Sequence, residues 1–399
     1  MPVDGNNFGF RIPISIHRLI DCLAQCWDQD SRTQSKRATT ATVANKHRAM
    51  IKYLGSKRLL TTAITAAFSD LPKGSRVLDV FSGTSRVGQA LKHAGFKVVA
   101  NDHNAYAHTI ARCYIEADRN EWIEDASELI ASLADTPPKA GWFTETYCEN
   151  ARFFHPDNGA RIEAIRNRIE SMQLAEPLRS IALISLMEAA DRVDSTTGVQ
   201  MAYLKKWATR SLKPLSLRVP ELINGTGECT LADAKEAASH FDGLAAYLDP
   251  PYNQHSYRSN YHIWETLVRW DQPEVYGVAQ KRIDCKTEKS EFNSRPKIEA
   301  ALTSVVDALD VDRIVVSFNN EGYLSKEAIV TMLEKRGAVH TVELDYKRYV
   351  GAQIGIHNNK GKRVGKVSHT RNKELLFVVD KNEKIGKKAA KSALRTTLE

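Results

Sequence analysis

The chain has 399 residues, of which 42% are hydrophobic and 26% charged, and its formal net charge of +8 suits a polyanionic partner. No apolar run approaches the roughly 20 residues of a membrane span, and no secretory signal opens the chain, so we expect a cytoplasmic protein without membrane contact. The cysteines are scattered and form no pair of Cys-x-x-Cys modules, so we expect reduced thiols and no metal site.

Residues 1–49 are polar and weakly periodic, which predicts a poorly ordered N-terminal extension before a folded region that begins near Met50. The segment Tyr53-Leu54-Gly55-Ser56-Lys57 then has the pattern of a loop that enters a helix. Lys57 would pair with a ligand carboxylate, and the backbone amides at the helix start would add to the attraction. An ordinary helix cap is the alternative for this segment.

The next elements predict the opening of a doubly wound parallel sheet. Val77–Val80 is a short apolar strand, Ser85–His93 has helical spacing, and Val98–Ala100 is a second strand. Ligands of such α/β sheets bind beyond the carboxyl ends of the strands. The turn after the first strand is therefore a candidate ligand site.

That turn runs from Asp79 to Thr84 and contains Phe81 and Gly83. Gly83 permits a close approach between backbone and ligand, and Phe81 offers an apolar wall beside a sulfonium. Asp102 ends the following strand, near the roughly 20-residue spacing at which an acid meets a ribose diol in dinucleotide folds. The alternative, a nicotinamide dehydrogenase, would need a fuller Gly-x-Gly-x-x-Gly pattern than this turn supplies.

From residue 121 to residue 225 the pattern turns helical, which predicts an inserted helical domain. One apolar stripe within it comprises Ile162, Ile165, Ile169 and Met172. The sheet resumes afterwards, with strands predicted at Leu244–Leu248, Arg313–Phe318, Val339–Leu344 and Glu374–Val379. The domain that carries the sheet would comprise residues 50–120 and 226–380, followed by a Lys-rich basic tail at 381–399.

The sharpest motif is Asp249-Pro250-Pro251-Tyr252, directly after the strand at 244–248. The exocyclic amine of adenine is a poor nucleophile, because its lone pair is delocalised into the ring. The Asp249 carboxylate and the Pro250 carbonyl would localise that pair by each accepting one amine hydrogen. Tyr252 would stack on a base flipped out of the duplex. A Pro-rich turn that ends a strand is the alternative, and it explains the other motifs poorly.

Two basic stretches suit contact with phosphates. Between Val199 and Pro220 there are five Lys or Arg and no acid, and between Tyr346 and Arg371 there are seven and no acid. Solvated loops that happen to be basic are the alternative. The predicted DNA contacts in the first stretch are Lys205, Lys206, Arg210, Lys213 and Arg218, and those in the second are Lys360, Lys362 and Arg363.

Together, these motifs resemble the DNA adenine methylase family, the alpha group of amino-methyltransferases. In that group a lysine-bearing motif comes first, the cofactor turn second, an inserted target recognition domain third and the catalytic Asp-Pro-Pro-Tyr last, which is the order found here. The resemblance covers about Met50 to Val379. It implies a Rossmann-like α/β fold and a site-specific enzyme that transfers the methyl group of S-adenosylmethionine to the amine of a flipped adenine in double-stranded DNA.

Residue by residue, the resemblance implies cofactor contacts by Tyr53, Lys57, Asp102, Asp233 and Asp249. It places three further residues in an aromatic-rich segment over the flipped base: Tyr257, Tyr261 and His262. Packing of a helix that includes Trp264 and Leu267 is the alternative for these three. The segment Ser317–Gly322 resembles a later family segment that walls the base pocket. Ser85 departs from the pattern, because many members carry a second glycine there.

Two other functions remain open from the sequence. The same four-residue loop serves enzymes that methylate the cytosine amine, and a DNA-binding module could keep the fold without catalysis. We expect a monomer, with a cognate restriction endonuclease as its partner if it belongs to a restriction-modification system.

Overall fold

The computed structural model of the protein describes residues 51–55, 57–347, 356–357, 363–365 and 371–396. The N-terminal extension predicted at 1–49 lies outside the described residues, as do the predicted DNA contacts Lys360 and Lys362. Of Arg363, only the backbone conformation is described.

The strands are short, in keeping with the apolar runs that predict them. In chain order they are β1 (Arg76–Asp79), β2 (Lys97–Asn101), β3 (Glu228–Thr230), β4 (Ala245–Leu248), β5 (Val275–Tyr276), β6 (Lys281–Arg282), β7 (Arg313–Asn319), β8 (Val339–Lys347), β9 (Ile356–His357), β10 (Arg363–Gly365) and β11 (Arg371–Asp380). β5 pairs with β6, and β9 with β10, as separate antiparallel ribbons.

The other strands form one seven-stranded sheet in the order β3-β2-β1-β4-β7-β11-β8. The run from β3 to β7 is parallel, and β11 lies antiparallel to β7. The strand order reverses between β1 and β4, so a ligand cleft is expected at the carboxyl ends of these two strands. This topology confirms the predicted Rossmann-like α/β fold.

The helices cover both faces of the sheet and add a helical layer beside it. In chain order they are α1 (Thr61–Ala66), α2 (Arg86–His93), α3 (Ala105–Ala111), α4 (Arg119–Ala134), α5 (Trp142–Thr144), α6 (Pro156–Ser171), α7 (Leu178–Arg192), α8 (Ala234–Ser239), α9 (Tyr257–Asn260), α10 (His262–Arg269), α11 (Asp284–Thr287), α12 (Ile298–Ala308), α13 (Lys326–Leu333) and α14 (Glu383–Arg395). None of the helices in the described ranges is long and apolar enough to cross a membrane.

Alternate residues of the strands enter two different cores, because successive side chains of a strand point to opposite faces. Val77 and Tyr247 pack with α1, α2 and α14, whereas Leu78 and Leu248 pack with α8, α12 and α13. All the residues of β4 and β7 are buried, as expected for central strands covered by helices on both sides.

The helical segment predicted at 121–225 contains α4 to α7. Its apolar residues share one core with α3 and α10, which flank the sheet. The described residues up to Tyr346 and from Lys373 onward belong to one compact unit. The domain boundaries at 121 and 225 therefore stay a prediction, while the packing shows a core continuous across them.

The Lys-rich stretch after Asp380 forms the amphipathic helix α14 rather than a tail without regular structure. Asn382 caps its N-terminus, and its side chain accepts hydrogen bonds from Lys384 N and Ile385 N. Ala389, Ala390 and Ala393 are buried on one face, so the lysines are left toward solvent. Composition alone suggested a biased tail, and the alanine spacing explains why the stretch folds.

Candidate active site

A cleft opens beyond the carboxyl ends of β1 and β4. The residues that line this cleft include Tyr257, which was predicted to cover the base, and seven residues that the sequence singled out for the cofactor. These seven are Tyr53, Lys57, Asp79, Phe81, Gly83, Asp102 and Asp249. The structure therefore brings most of the predicted site together from distant parts of the chain.

The turn after β1 forms one wall of the cleft. Gly83 has a φ of +50°, and a Cβ placed there would lie 3.3 Å from the Tyr53 hydroxyl. The Gly83 N–H donates to Asp102 Oδ2 at 3.0 Å, and Asp102 Oδ1 accepts from Asn104 N at 2.9 Å. Both the glycine and the acid are thus fixed in place before any ligand binds. Ser85 has a φ of +54°, so the position that departs from the family pattern adopts a glycine-like conformation.

Asp79 ends β1 and is 1% exposed. Within the described residues, neither of its carboxylate oxygens has a partner in ordinary hydrogen-bond geometry, and the backbone N–H of Gly88 in α2 is the donor that lies near enough to lower its pKa. Burial, reinforced by the nearby Asp249 carboxylate, outweighs this effect and raises the pKa of Asp79 to about 8. A buried acid with so little compensation is costly, so this position favours a ligand that brings a cation or a donor group.

Lys57 lies between two carboxylates. Its Nζ is 3.0 Å from Asp249 Oδ1 and 2.5 Å from Glu374 Oε1. Burial opposes the charge on Lys57, but Asp249 and Glu374 raise its pKa well above the ordinary value. The sequence predicted that Lys57 pairs with a ligand carboxylate, whereas the structure gives it two partners within the protein.

Glu374 is a site residue that the sequence analysis missed. It begins the buried part of β11, is 1% exposed, and accepts a hydrogen bond from Ser317 Oγ at 2.7 Å. The only signal in the sequence was an acid that opens an otherwise apolar strand, Glu374–Val379. The strand order was needed to show that this acid meets Lys57.

Asp249 directly follows β4, and its carboxylate lines the cleft. Burial raises the pKa of Asp249 to about 6, an effect that Lys57 opposes and Glu374 reinforces. Tyr252 packs on Phe318, with ring centroids 5.5 Å apart, and its carbonyl accepts from Tyr323 N at 2.9 Å. Pro250 is buried, and Asp249 and Pro251 are the residues of the motif that line the cleft, whereas Pro250 and Tyr252 are not among the lining residues.

The three tyrosines predicted near the cofactor and the base form one cluster of nearly parallel rings. Tyr53 contacts both Tyr261 and Tyr257, with centroid distances of 4.5 Å and 5.2 Å and an interplanar angle of 12° in both pairs, and the Tyr257 and Tyr261 centroids are 6.4 Å apart. Tyr257 lines the cleft, whereas Tyr261 is 1% exposed and its hydroxyl accepts from Leu54 N. His262 is buried and contacts the Gln200 carbonyl at 2.9 Å, which matches the core-packing alternative for that residue.

Two predicted residues lie apart from the cleft or have other partners. Asp233 is exposed, caps α8 by accepting from Lys235 N at 2.9 Å, and is not among the residues that line the cleft. Arg210 is ion-paired with Asp194 at 2.8 Å, and Asp194 also binds Lys52 at 2.9 Å. The remaining basic residues of this stretch are exposed: Lys205, Lys206, Lys213 and Arg218.

The chain is similar in sequence to DNA methyltransferases. Residues 53–332 match the family model for D12 class N6 adenine-specific DNA methyltransferases. The Type II methyltransferase M.NlaIII of Neisseria lactamica is 29% identical over 324 residues, which cover 78% of this chain and 96% of that protein. The modification methylase StsI of Streptococcus sanguinis is 28% identical over 328 residues, which cover 76% of this chain and 50% of that protein. The Type II methyltransferase M.FokI of Planomicrobium okeanokoites is 28% identical over 326 residues, which cover 75% of this chain and 50% of that protein.

Proposed function

Because the chain belongs to the D12 class N6 adenine-specific DNA methyltransferases, we propose that its methyl donor is S-adenosylmethionine and that Asp249 is the catalytic acceptor of the adenine amine. The observation that supports this most directly is the meeting of Asp249, Asp79 and Asp102 in one cleft at the carboxyl ends of parallel strands. Three motifs far apart in the sequence thus contribute acids to one ligand site.

The residues of the cleft fit this donor. Asp79, buried with no ion-pair partner among the described residues, is suited to the ammonium group of the methionine part. Asp102, already oriented by Gly83 and Asn104, is suited to the ribose diol. Phe81 and Tyr53 would supply apolar walls, and Gly83 leaves the space that a side chain would fill.

When bound, the donor supplies the methyl group: a carbon–nitrogen bond to the adenine amine forms as the carbon–sulfur bond breaks, sulfur keeps the electron pair, and the nitrogen, now cationic, then releases one proton to water. Asp249 prepares the nitrogen for this step. One of its oxygens, Oδ1, contacts Lys57, which leaves the other free to accept an amine hydrogen. The Pro250 carbonyl would accept the second hydrogen, and Tyr252 would stack on the base. Because a pKa of about 6 keeps Asp249 ionised at neutral pH, it acts as a hydrogen-bond acceptor without first losing a proton.

Exposed cations of the helical segment would hold the DNA. Four of them are exposed and would reach phosphates: Lys205, Lys206, Lys213 and Arg218. Phosphate contacts fix the register of a protein on DNA without reading the bases. Lys360, Lys362 and Arg363 remain the second predicted set. Arg210 has a different role, because its guanidinium is bound to Asp194. Tyr257 is the better placed of the two base-covering tyrosines, because Tyr257 lines the cleft whereas Tyr261 is buried and does not line it.

We assign the protein to the cytoplasm as a monomer, and we propose that it protects DNA against a cognate endonuclease. The proposed protection against an endonuclease is supported by the names of its relatives, which are type II methyltransferases and modification methylases. The test is to incubate the protein with unmethylated genomic DNA and S-adenosylmethionine and to map modified bases by single-molecule sequencing. We expect N6-methyladenine at one short sequence. A mark on the cytosine amine, or no mark at all, would overturn the proposal.

A further inference from the structure

Glu374 introduces a second negative charge beside the catalytic carboxylate. Lys57 is the cation that the two acids share, and its Nζ lies closer to Glu374, at 2.5 Å, than to Asp249, at 3.0 Å. The three side chains together carry a net charge of one negative unit when all are ionised. Without Glu374, Lys57 and Asp249 would form a neutral pair, in which the Asp249 carboxylate would be a weaker acceptor.

An acid is unusual on this part of β11, because the residues that follow it, Leu375 to Val379, are apolar and buried. Replacing a whole buried ion pair with apolar residues of similar volume often costs no stability, so the presence of a buried pair is not by itself explained by the stability of the fold. Glu374 is nevertheless held firmly: it pairs with Asn319 across the β7–β11 ladder and accepts from Ser317 Oγ at 2.7 Å.

We propose that Glu374 is a positioning residue for methyl transfer: by taking the closer contact with Lys57, it keeps the ammonium beside Asp249 without letting it neutralise that carboxylate. The proposal rests on the proposed role of Asp249 as acceptor of the adenine amine. Ser317 and Asn319 act through Glu374, which explains why the predicted base-pocket segment at 317–322 lies beside the catalytic motif.

The pKa values are in keeping with this arrangement. The titratable or charged groups that face Asp249 are Lys57, Glu374 and Asp79, with the hydroxyls of Tyr247 and Tyr257. After burial, the opposing effects of Lys57 and Glu374 set the pKa of Asp249 at about 6. Removing the charge of Glu374 while Lys57 stays should therefore move the titration of Asp249 to lower pH.

The test compares the wild-type protein with Glu374→Gln, which keeps the shape and removes the charge. The first readout is the titration of the Asp249 carboxyl in the free protein, followed by ¹³C NMR and assigned with Asp249→Asn. The second is the pH profile of kcat with DNA and S-adenosylmethionine saturating. The matched control is Asp380→Asn, a buried acid on the same strand whose partner is Arg313.

We expect Glu374→Gln to lower the titration midpoint of Asp249, to move the acid limb of kcat to lower pH, and to reduce kcat about tenfold or more. Asp380→Asn should change the unfolding temperature but neither readout. An unchanged midpoint, a midpoint that rises because Lys57 leaves Asp249, or a normal kcat would each overturn the proposal.

If Glu374→Gln does not fold, Ser317→Ala removes one contact that holds Glu374 and should shift the midpoint in the same direction by less. A wild-type protein that leaves DNA unmethylated would defeat the proposed function instead. In that case the NMR titration would still decide whether Glu374 competes with Asp249 for Lys57.

Discussion

The Gly83 N–H donates to Asp102 Oδ2 at 3.0 Å, which ties the turn after β1 to the end of β2. Gly83→Ala should damage this wall, because Gly83 has a positive φ and its new Cβ would lie 3.3 Å from the Tyr53 hydroxyl. Gly74→Ala is the matched control, since Gly74 has a φ of +79° and open space around it. Both variants should lose about 1 kcal/mol of stability. Only Gly83→Ala should weaken S-adenosylmethionine binding, by about tenfold in calorimetry; equal binding by both variants would contradict this assignment.

Asp249→Ala should abolish methyl transfer, because it removes one of the two acceptors for the adenine amine. Loss of one well-placed electrostatic group typically reduces kcat by a factor of about 100 or more. The measurement is turnover with saturating cofactor on a variant whose circular dichroism spectrum is normal. Turnover close to that of the wild-type protein would show that Asp249 is not catalytic.

Lys57→Met should move the acid limb of kcat to higher pH. Lys57 is the cation that opposes the rise in the pKa of Asp249, so its removal lets that pKa climb above about 6. Activity needs ionised Asp249 and is therefore lost at a higher pH. Lys52→Met serves as the control, because Lys52 binds Asp191 and Asp194 instead of the catalytic acid. An acid limb that stays in place in Lys57→Met would contradict the assigned contact.

Asp79→Asn should stabilise the protein at pH 8 in the absence of cofactor. The pKa of Asp79 is about 8 in the folded protein against an ordinary 3.8, so between these values the unfolded chain loses the proton that the folded protein keeps, and stability falls as pH rises. The gain in melting temperature should shrink as pH falls and disappear below about pH 3, where both states are protonated. Binding of S-adenosylmethionine should weaken in the same variant.

Asp70→Asn should lower the melting temperature near neutral pH, which is the opposite of the effect expected for Asp79→Asn. Although burial opposes it, Arg313 holds the pKa of Asp70 below its ordinary value, so the ionised form of Asp70 stabilises the fold. If the melting temperature of Asp79→Asn rose by the same amount at every pH, and Asp70→Asn behaved in the same way, the raised pKa of Asp79 would be contradicted.

Replacing Lys205 and Lys206 together with Ala should weaken DNA binding and flatten its salt dependence. Each lost phosphate contact reduces the slope of log K against log salt by about 0.9. Arg210 is left intact because its ion pair with Asp194 is structural. Lys387→Ala with Lys388→Ala, an exposed pair on α14, is the matched control. Unaltered DNA affinity at low salt would transfer the contact role to the segment between Lys347 and Arg371.

Several features of the site followed from local sequence. Asp79, Gly83, Asp102 and Asp249 each close a predicted strand or its turn, and parallel strands bring such ends to one edge of the sheet. Other features did not follow. The family resemblance implied a cofactor contact for Asp233, but Asp233 caps α8, and the basic residue Arg210 pairs with Asp194. Charge and spacing do not reveal which partner a side chain meets.

The sequence by itself determined the α/β class and the family and predicted the cofactor turn and the catalytic motif, because these depend on apolar periodicity and on residue types close together in the chain. The tertiary structure decided which charges meet. Lys57, Asp249 and Glu374 come from a loop and from two strands separated in the sheet only by β7. Their contact is a product of strand order, since β11 pairs with β7 although other elements separate the two strands in the chain.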